Sequence, residues 1–253
     1  DSGSTVGANI VQNGDFSELG SEEITDGDFP TGTTAWTKGD GWSITNGVAV
    51  CDGTQTSSTS LGSSTMSLTV GKTYKVTVNV NSTSSGFRLY DSIGVVDYSL
   101  DVGENVFYRT LSTSAYAVTS IALVGSTGSI SNISVKQVDP NDDWALGTGW
   151  SYGDDKAIFD GVSTGAVANW LRYYNITEIG SKYKVEFDIE TEDSGIVGKF
   201  TDGSATYIDM GNGSGHYEGI YTTLSTQIGF TVVTNKSYSI TNISVKEITQ
   251  SDH

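Results

Sequence analysis

The 253-residue chain contains one cysteine, two histidines and two prolines, and these shortages exclude several kinds of protein. Cys51 has no second cysteine to pair with, so no intrachain disulfide can form, and its place in Val48-Ala-Val-Cys51 predicts core packing. One of the two histidines, His253, is terminal, and no serine-hydrolase, metalloprotease or phosphate-loop motif occurs. The sequence therefore predicts a protein without catalytic activity.

Basic residues are also scarce, with 13 Lys and Arg against 30 Asp and Glu and a formal net charge of −17. Such a surface repels a nucleic-acid backbone and an anionic membrane. No stretch approaches the roughly 18 apolar residues that a membrane-spanning helix needs. We therefore expect neither nucleic-acid binding nor membrane insertion, while divalent cations remain chemically suitable partners.

The chain repeats itself. Ile130-Ser-Asn-Ile-Ser-Val-Lys136 returns as Ile240-Thr-Asn-Ile-Ser-Val-Lys246, a shift of 110 residues (240 − 130). Other matches follow at nearly the same shift: Gly71-Lys-Thr-Tyr-Lys-Val76 with Gly180-Ser-Lys-Tyr-Lys-Val185, and Trp36 and Trp42 with Trp144 and Trp150. A shift this constant indicates that one module has been duplicated, and its length is that of an ordinary domain.

These matches predict a flexible N-terminal lead-in at residues 1–8, module 1 at residues 9–138 and module 2 at residues 139–250. Asn13-Gly-Asp-Phe16 and Asp26-Gly-Asp-Phe29 are two similar turns, of which only one can open module 1. The other is interpreted as the stub of a preceding module. Asp139-Pro-Asn-Asp-Asp143 is interpreted as a short interdomain link that its proline stiffens.

The periodicity predicts an all-β fold of two tandem antiparallel β-sandwiches. Tyr74, Val76, Val78 and Val80 alternate with polar residues, and no segment keeps a helical apolar period for ten residues. Asn46-Gly47 predicts a tight hairpin. In the closing strand Ile130 is out of step with Ile133 and Val135, which predicts a β-bulge. The four repeated tryptophans are expected to be framework residues of the cores: Trp36, Trp42, Trp144 and Trp150.

Taken in order, the motifs resemble a known family. The Gly-Asp-Phe start, the Trp-x5-Trp pair, the Gly-x-x-Tyr-x-Val strand and the final Ile-x-Asn-Ile-Ser-Val resemble jelly-roll carbohydrate-binding modules of the galactose-binding-like group, above all repeats in phage tail, fibre and other virion proteins. The resemblance covers residues 9–248. It implies two packed antiparallel sheets and a face or rim that holds sugar.

The resemblance also bears on metals. Modules of this group commonly carry an Asp in the closing motif that helps to hold calcium, whereas this chain has Ser131 and Thr241 there. Asp26, Asp28 and Asn132 are the remaining candidate calcium ligands, with turn capping as the alternative role. No cofactor is expected to be required.

The second copy is richer in aromatic residues than the first, and this favours a binding site in it. In a strand, Trp170, Arg172 and Tyr174 share one face, and Leu171 is expected to look inward. Flat aromatic rings stack on sugars, and an Arg donates several hydrogen bonds to hydroxyl groups. The candidate carbohydrate-binding residues are Trp170, Arg172, Tyr174, Lys199, Tyr207 and Tyr221.

Two functions remain open. The first is a non-catalytic carbohydrate-binding or adhesion module of a virion, in a tail fibre or on the surface, or of a secreted protein, with an extracellular or cell-surface glycan as its partner. The second is a purely structural spacer, decoration or filament subunit that assembles with other subunits into a homo-oligomer or fibre through its sandwich faces. Either one predicts a virion or extracellular location.

Overall fold

The computed structural model describes residues 4–84, 86–92, 94–163, 169–211 and 213–250. These ranges contain strands, turns and loops and no α-helix, and every strand pair in them is antiparallel. No helix in the described ranges is long and apolar enough to cross a membrane. The predicted all-β class is confirmed.

The chain divides into two compact units, but not at the expected boundary. One unit is Leu19–Val138, here called the inserted unit. The other combines Asp1–Glu18 with Asp139–His253 and is here called the bracketing unit. Residues 9–18, which the sequence reading places in module 1, therefore belong with module 2, so that one copy of the repeat interrupts the other in the sequence.

The described residues of the inserted unit form thirteen strands, which pair into a six-stranded, a five-stranded and a two-stranded sheet. The strands of the six-stranded sheet are β2 (Leu19–Glu22), β4 (Trp42–Thr45), β5 (Val48–Asp52), β8 (Thr73–Thr83), β11 (Gly103–Thr110) and β14 (Thr127–Val138). Those of the five-stranded sheet are β3 (Trp36–Lys38), β6 (Thr59–Ser63), β9 (Phe87–Asp91), β10 (Gly94–Ser99) and β13 (Val118–Ala122). The small sheet pairs β7 (Met66–Ser67) with β12 (Ala115–Tyr116).

The bracketing unit contains a six-stranded and a five-stranded sheet. The first consists of β1 (Ser4–Asn9), β16 (Trp150–Gly153), β17 (Lys156–Phe159), β19 (Lys182–Glu190), β22 (Gly215–Thr222) and β24 (Tyr238–Gln250). The second consists of β15 (Ala145–Leu146), β18 (Leu171–Tyr173), β20 (Gly198–Thr201), β21 (Thr206–Met210) and β23 (Ile228–Val232). The predicted flexible lead-in is wrong for residues 4–8, because β1 pairs with β24 from Ser4 opposite Gln250 onward; residues 1–3 lie outside the described ranges.

The two units share one topology. The central sheet of the inserted unit runs β11-β8-β14-β5-β4, and that of the bracketing unit runs β22-β19-β24-β17-β16. The opposing sheets run β10-β9-β13-β6-β3 and β21-β20-β23-β18-β15. The order agrees strand by strand in these four sheets, so paired positions on corresponding strands can be compared between the units.

Each unit has its own hydrophobic core, to which both of its larger sheets contribute, and this is the arrangement of a β-sandwich. Cys51 and its counterpart Phe159 are both buried, which confirms the core role predicted for the cysteine. The predicted framework role of the four repeated tryptophans is confirmed as well, because all are at most 8% exposed: Trp36, Trp42, Trp144 and Trp150.

Two local predictions from the sequence are also confirmed. Asn46 and Gly47 both have positive φ and join β4 to β5 in a two-residue hairpin. The register of β14 against β8 shifts on both sides of Ile130, where the sequence pattern predicts a bulge. The bulge lets Ile130 and Ile133 both face the core although their spacing is odd.

The two Gly-Asp-Phe turns explain why the units are nested. The turn at Asn13 packs Phe16 against Trp144, with ring centroids 5.2 Å apart, and the carbonyl of Asn13 accepts a 3.0 Å hydrogen bond from the indole Nε1 of Trp144. The carbonyl of Gly14 accepts a hydrogen bond from the amide of Ile243 at 2.8 Å. The first turn therefore opens the bracketing unit and is not the stub of a further module.

The second turn makes the same contacts inside the inserted unit. Phe29 packs against Trp36 at 5.0 Å, and the carbonyl of Asp26 accepts a 2.9 Å hydrogen bond from the indole of Trp36. The carbonyl of Gly27 accepts from the amide of Ile133 at 2.9 Å. Each unit is therefore closed by its own turn on its own last strand.

Asp139, which the sequence reading assigns to a short, stiff link, belongs to the bracketing unit and makes structural contacts in it. Its side chain is buried, and its carboxylate accepts hydrogen bonds from Asn13 Nδ2 at 3.0 Å, from the amide of Trp144 at 3.0 Å and from Tyr152 Oη at 2.9 Å. Burial, followed by this carboxylate, raises the pKa of Tyr152. Asp139 thus joins the N-terminal segment to the chain that resumes after the insertion.

The nesting predicts how fragments behave. The fragment 19–138 is expected to fold alone, whereas the fragment 139–250 is not, because it lacks Val11 and Phe16 from its core. Losing one buried Phe costs about 3–5 kcal/mol, a large part of the roughly 5–15 kcal/mol that stabilises a domain. Circular dichroism and thermal melting of both fragments test this, with residues 4–18 linked back onto 139–250 as the control. Cooperative unfolding of 139–250 by itself would contradict the assignment.

Candidate functional site

The outward side of the five-stranded sheet in the bracketing unit carries the stripe that the sequence predicts. Leu171 is fully buried and pairs with Phe230 in the core. Because side chains alternate along a strand, Trp170 and Arg172 emerge on the opposite side, where Tyr174 follows them. The predicted orientation of Trp170, Arg172 and Tyr174 is therefore confirmed, while their role in binding stays a prediction.

The three side chains of this stripe contact one another. The guanidinium of Arg172 lies over the indole of Trp170, 4.8 Å from the ring centroid, within the range of a cation–π interaction. Arg172 Nη1 donates a 3.1 Å hydrogen bond to Tyr174 Oη. Tyr174 is 47% exposed, so part of its side chain is accessible to a ligand. We call these three residues the Trp-Arg-Tyr stack.

Glycines provide the space in which the stack lies. A Cβ on Gly229 would be 3.5 Å from Arg172 Cγ and 3.6 Å from Trp170 Cε3, and a Cβ on Gly203 would be 3.8 Å from Trp170 Cζ3. The indole and the Arg172 stem thus both pass close to Gly229. The indole is only half-buried, because the sheet and Arg172 leave part of it open to solvent.

Lys199 reaches the same side of the same sheet. Its neighbour Phe200 is buried and pairs with Phe230, so Lys199 points outward like Arg172. The Lys199 ammonium lies 3.3 Å from Asp209 Oδ1, and both side chains are well exposed. A surface ion pair of this kind contributes at most about 1 kcal/mol, and a competing ligand group can therefore displace it.

The inserted unit shows that the fold does not need the stack. Arg172 pairs with Gly229 across the strands, and the corresponding pair there is Gly62 with Thr119, each 110 residues earlier (172 − 62 and 229 − 119). The counterpart of Trp170 by the same shift is Ser60. The same sheet position is therefore stable with small side chains, and the large ones must serve another purpose.

Two of the predicted sugar contacts are misplaced. Tyr221 is 4% exposed and packs against Phe200 in the core with ring centroids 5.1 Å apart, so it cannot join the stack. Burial, followed by its neighbour Tyr183, raises the pKa of Tyr221. Tyr207 is half-buried and stacks inward on Tyr221 at 4.7 Å. Both rings pack inside the sandwich, where burial of the apolar ring is favourable. The Tyr207 hydroxyl keeps a hydrogen bond there, whereas the buried Tyr221 hydroxyl has no partner among the described residues.

Tyr207 is held by a buried carboxylate that the sequence gives no reason to notice. Asp202 is fully buried, and its Oδ2 accepts from Tyr207 Oη at 2.8 Å, from the amide of Leu224 at 2.6 Å and from Thr223 Oγ1 at 3.2 Å. Its Oδ1 accepts from the amides of Ser204 and Ala205 at 2.8 and 2.9 Å. Burial, followed by the Asp202 hydrogen bond, raises the pKa of Tyr207 to about 12.

These donors also control the ionisation of Asp202. Burial acts to raise the pKa of this carboxyl, but the donated hydrogen bonds outweigh it and hold the pKa below its usual value. Asp202 thus joins the turn between β20 and β21, strand β21 and the loop that follows β22.

One of the predicted calcium ligands caps a turn. Asp26 Oδ2 accepts a 2.6 Å hydrogen bond from Thr33 Oγ1, as a turn-capping carboxylate does. Asp28 is exposed, and Asn132 lies on β14 opposite Asn79 of β8. No hydrogen bond among the described residues joins the side chains of Asp26, Asp28 and Asn132, and calcium binding there stays a prediction.

One other group has donors suited to a cation. Glu186, His216 and Glu218 on β19 and β22 place potential ligand atoms within 4.8 Å of one another. Lys184 Nζ already lies between the two carboxylates, 2.7 Å from Glu186 and 2.9 Å from Glu218. His216 Nδ1 is 2.7 Å from Asp188. The cation in this group is therefore the lysine of the chain itself.

No protein-family model matches the sequence, and the curated proteins include no significant match. Among solved structures, the chain is similar to the CBM22-1-CBM22-2 tandem domain of Paenibacillus barcinonensis Xyn10C, at 9% identity over 93% of this chain and 98% of that chain, with a TM-score of 0.27. It is also similar to allantoicase, at 10% identity over 94% and 93% of the two chains, with a TM-score of 0.28.

A third similar structure is the M60 catalytic domain with the CBM51-1 and CBM51-2 domains of Clostridium perfringens ZmpB, at 6% identity over 76% of this chain and 34% of that chain, with a TM-score of 0.23. At such TM-scores the likenesses assign no function. The function has to be argued from the side chains of this protein.

Asp202 generates a prediction about acid stability. The pKa of Asp202 is lower in the folded protein than in the unfolded chain, where it is about 3.9. Its contribution to the free energy of unfolding is therefore fully present above the unfolded pKa and is lost as the pH falls through the folded pKa. We expect Asp202→Asn to cost the bracketing unit about 2–4 kcal/mol at pH 7, and the difference from the wild type to shrink below about pH 3. Urea unfolding at several pH values measures this, with the exposed Asp28→Asn as control. A difference that does not vary with pH would contradict it.

Proposed function

We propose that the protein binds carbohydrate on the outward side of the five-stranded sheet of the bracketing unit. The observation that carries the proposal is the Trp-Arg-Tyr stack, which is built on a surface where the duplicate unit has Ser60 and Gly62. Binding without catalysis is the function that this arrangement favours.

The stack offers the two kinds of contact that a sugar ring uses. The exposed ring of Tyr174 and the open part of the Trp170 indole are flat apolar surfaces for the C–H face of a pyranose. The Arg172 guanidinium and the Lys199 ammonium supply donors for hydroxyl groups beside that surface. Because Arg172 is already held by the Trp170 ring and by the Tyr174 hydroxyl, it loses little side-chain entropy when a ligand binds.

The setting that we propose is a virion, in a tail fibre or on the surface, or a secreted protein that adheres to an extracellular or cell-surface glycan. The support is the order of motifs shared with virion repeats and the acidic surface. In this setting the protein works as part of a homo-oligomer or fibre.

A structural subunit is the second candidate. It is favoured by the same stack, because Trp, Tyr and Arg are also the residues enriched at protein interfaces. In that case the outward side of the sheet packs on another subunit, and the protein is a spacer, decoration or filament component.

Substitutions in the stack separate the two candidates. We expect Trp170→Ala and Tyr174→Ala each to weaken glycan binding at least about tenfold, since truncating a binding hot spot costs roughly 2 kcal/mol or more. The thermal midpoint should change little, because Tyr174 is exposed and the indole is half-buried. A glycan array followed by titration of the best ligand measures the effect, with Ser60→Ala as the matched control.

Light scattering of the same variants completes the test. An unchanged glycan profile in both variants, together with a loss of oligomer mass, would contradict sugar binding at the stack and support the structural role.

A further inference from the structure

A second surface differs between the two copies, on the outward side of the six-stranded sheet. In the inserted unit it forms a cleft of about 230 Å³ between β8, β14 and the start of β11. Three pairs of like residues face each other across β8 and β14: Lys75 with Lys136, Thr77 with Ser134, and Asn79 with Asn132. Glu104 and Leu19 complete the lining.

In the bracketing unit, carboxylates of the unit itself neutralise the lysines at the corresponding cross-strand positions. Lys184 and Lys246 face each other there, and Glu186 lies beside them. The Glu186 carboxylate binds both ammonium groups, with Lys184 Nζ at 2.7 Å and Lys246 Nζ at 3.5 Å. Its pKa is lowered, first by the hydrogen bond from Lys184. One carboxylate thus neutralises two lysines that would otherwise repel each other across the strands.

The neighbouring polar residues of the bracketing unit also bind one another. Asn242 Nδ2 donates a 2.7 Å hydrogen bond to Asp188 Oδ2, and His216 Nδ1 lies 2.7 Å from the other oxygen. The pKa of Asp188 is lowered, first by the hydrogen bond from Asn242. The polar groups on this surface of the bracketing unit therefore satisfy one another.

The inserted unit keeps the lysines and the asparagine but lacks the carboxylates. Thr77 stands at the position of Glu186 and Asn79 at that of Asp188, both 109 residues earlier (186 − 77 and 188 − 79). Within the described part of the chain, the side chains of Asn79, Asn132 and Lys136 have no hydrogen-bond or ion-pair partner. The hydrogen-bond donors of these three side chains line the cleft, where a ligand can accept hydrogen bonds from them.

The balance of charge differs between the copies. Two lysines and one carboxylate, Glu104, line the cleft, and a second carboxylate lies beside it, because Glu22 faces Lys136 across β2 and β14 and accepts from Ser134 Oγ at 2.6 Å. Two lysines meet three carboxylates on the corresponding surface of the bracketing unit: Glu186, Asp188 and Glu218. The cleft is thus close to neutral on a chain of net charge −17, and Thr77 leaves it without the carboxylate that bridges the two lysines in the other copy.

We propose that this cleft binds a single hydroxylated ring that carries one negative group, as in a hexuronate or a sulfated sugar. The negative group takes the place that the Glu186 carboxylate occupies in the other copy, between Lys75 and Lys136. The amides of Asn79 and Asn132 then bond the ring hydroxyls. The cleft is smaller than the roughly 300–1,000 Å³ of a drug-sized pocket, so it suits one ring and not an oligosaccharide.

The site lies in the other unit from the Trp-Arg-Tyr stack, and the two proposals can fail separately. The experiment follows the side-chain amide signals of Asn79 and Asn132 by nitrogen-15 NMR in the full-length protein during titration with sodium glucuronate, glucose 6-sulfate, glucose and sodium sulfate. We expect saturable shifts with glucuronate or glucose 6-sulfate, and binding by glucose and by inorganic sulfate that is weaker by about tenfold or more. Comparing glucuronate with glucose 6-sulfate identifies the preferred negative group.

One substitution introduces into the cleft the carboxylate that the bracketing unit has. Thr77→Glu places a carboxylate beside Lys75 and Lys136, as Glu186 does in the bracketing unit, and should abolish the shifts while the thermal midpoint is kept or raised. Trp170→Ala should leave them unchanged. Equal binding of glucose and glucuronate, equal binding of inorganic sulfate and the acidic sugars, unchanged binding by Thr77→Glu, or no shift at Asn79 and Asn132 would each overturn the proposal.

Discussion

The structure depends on one contact that occurs twice, in which a Gly-Asp-Phe turn is fastened to the last strand of its unit. The turn carbonyl accepts the indole N–H of the first framework tryptophan, the glycine carbonyl accepts an amide of the closing strand, and the phenylalanine fills the core beside the tryptophan. Only glycine fits, since a Cβ at Gly14 or Gly27 would overlap the carbonyl oxygen of Ile243 or Ile133. The contact joins the first residues of each unit to its last strand, and so it decides which segments form a unit.

Because the framework is duplicated, differences between the copies indicate what the framework does not require. Buried positions correspond closely, as with Cys51 and Phe159 or the four tryptophans. Outward positions differ in residue type: Trp170 and Arg172 correspond to Ser60 and Gly62, and Glu186 corresponds to Thr77. Each copy can therefore be compared with the other, and both proposed ligand sites lie at positions where the two copies have different residues.

The sequence predicts the strands, the hairpin and the bulge because each follows from a short-range pattern. It does not predict the nesting, since the turns at Asn13 and Asp26 are nearly identical and only a distant tryptophan distinguishes them. The orientation of Trp170 follows from the burial of Leu171 next to it. The sequence reading places Tyr221 wrongly because tyrosine has an apolar ring and a polar hydroxyl. Its residue type alone therefore does not show whether the side chain points into the core or toward solvent. Asp202-Gly203 is an ordinary turn signal, and the burial of Asp202 is not predicted because it depends also on Thr223 and Leu224, about 20 residues away in the sequence.

The most direct test of this account is residue-resolved hydrogen exchange on Gly14→Ala and Gly27→Ala. If each turn closes its own unit, Gly14→Ala should raise amide exchange across β19 and β24 while leaving β8 and β14 protected, and Gly27→Ala should do the reverse. Loss of protection in β8 and β14 on Gly14→Ala, with β19 and β24 unaffected, would contradict the nesting of one copy within the other.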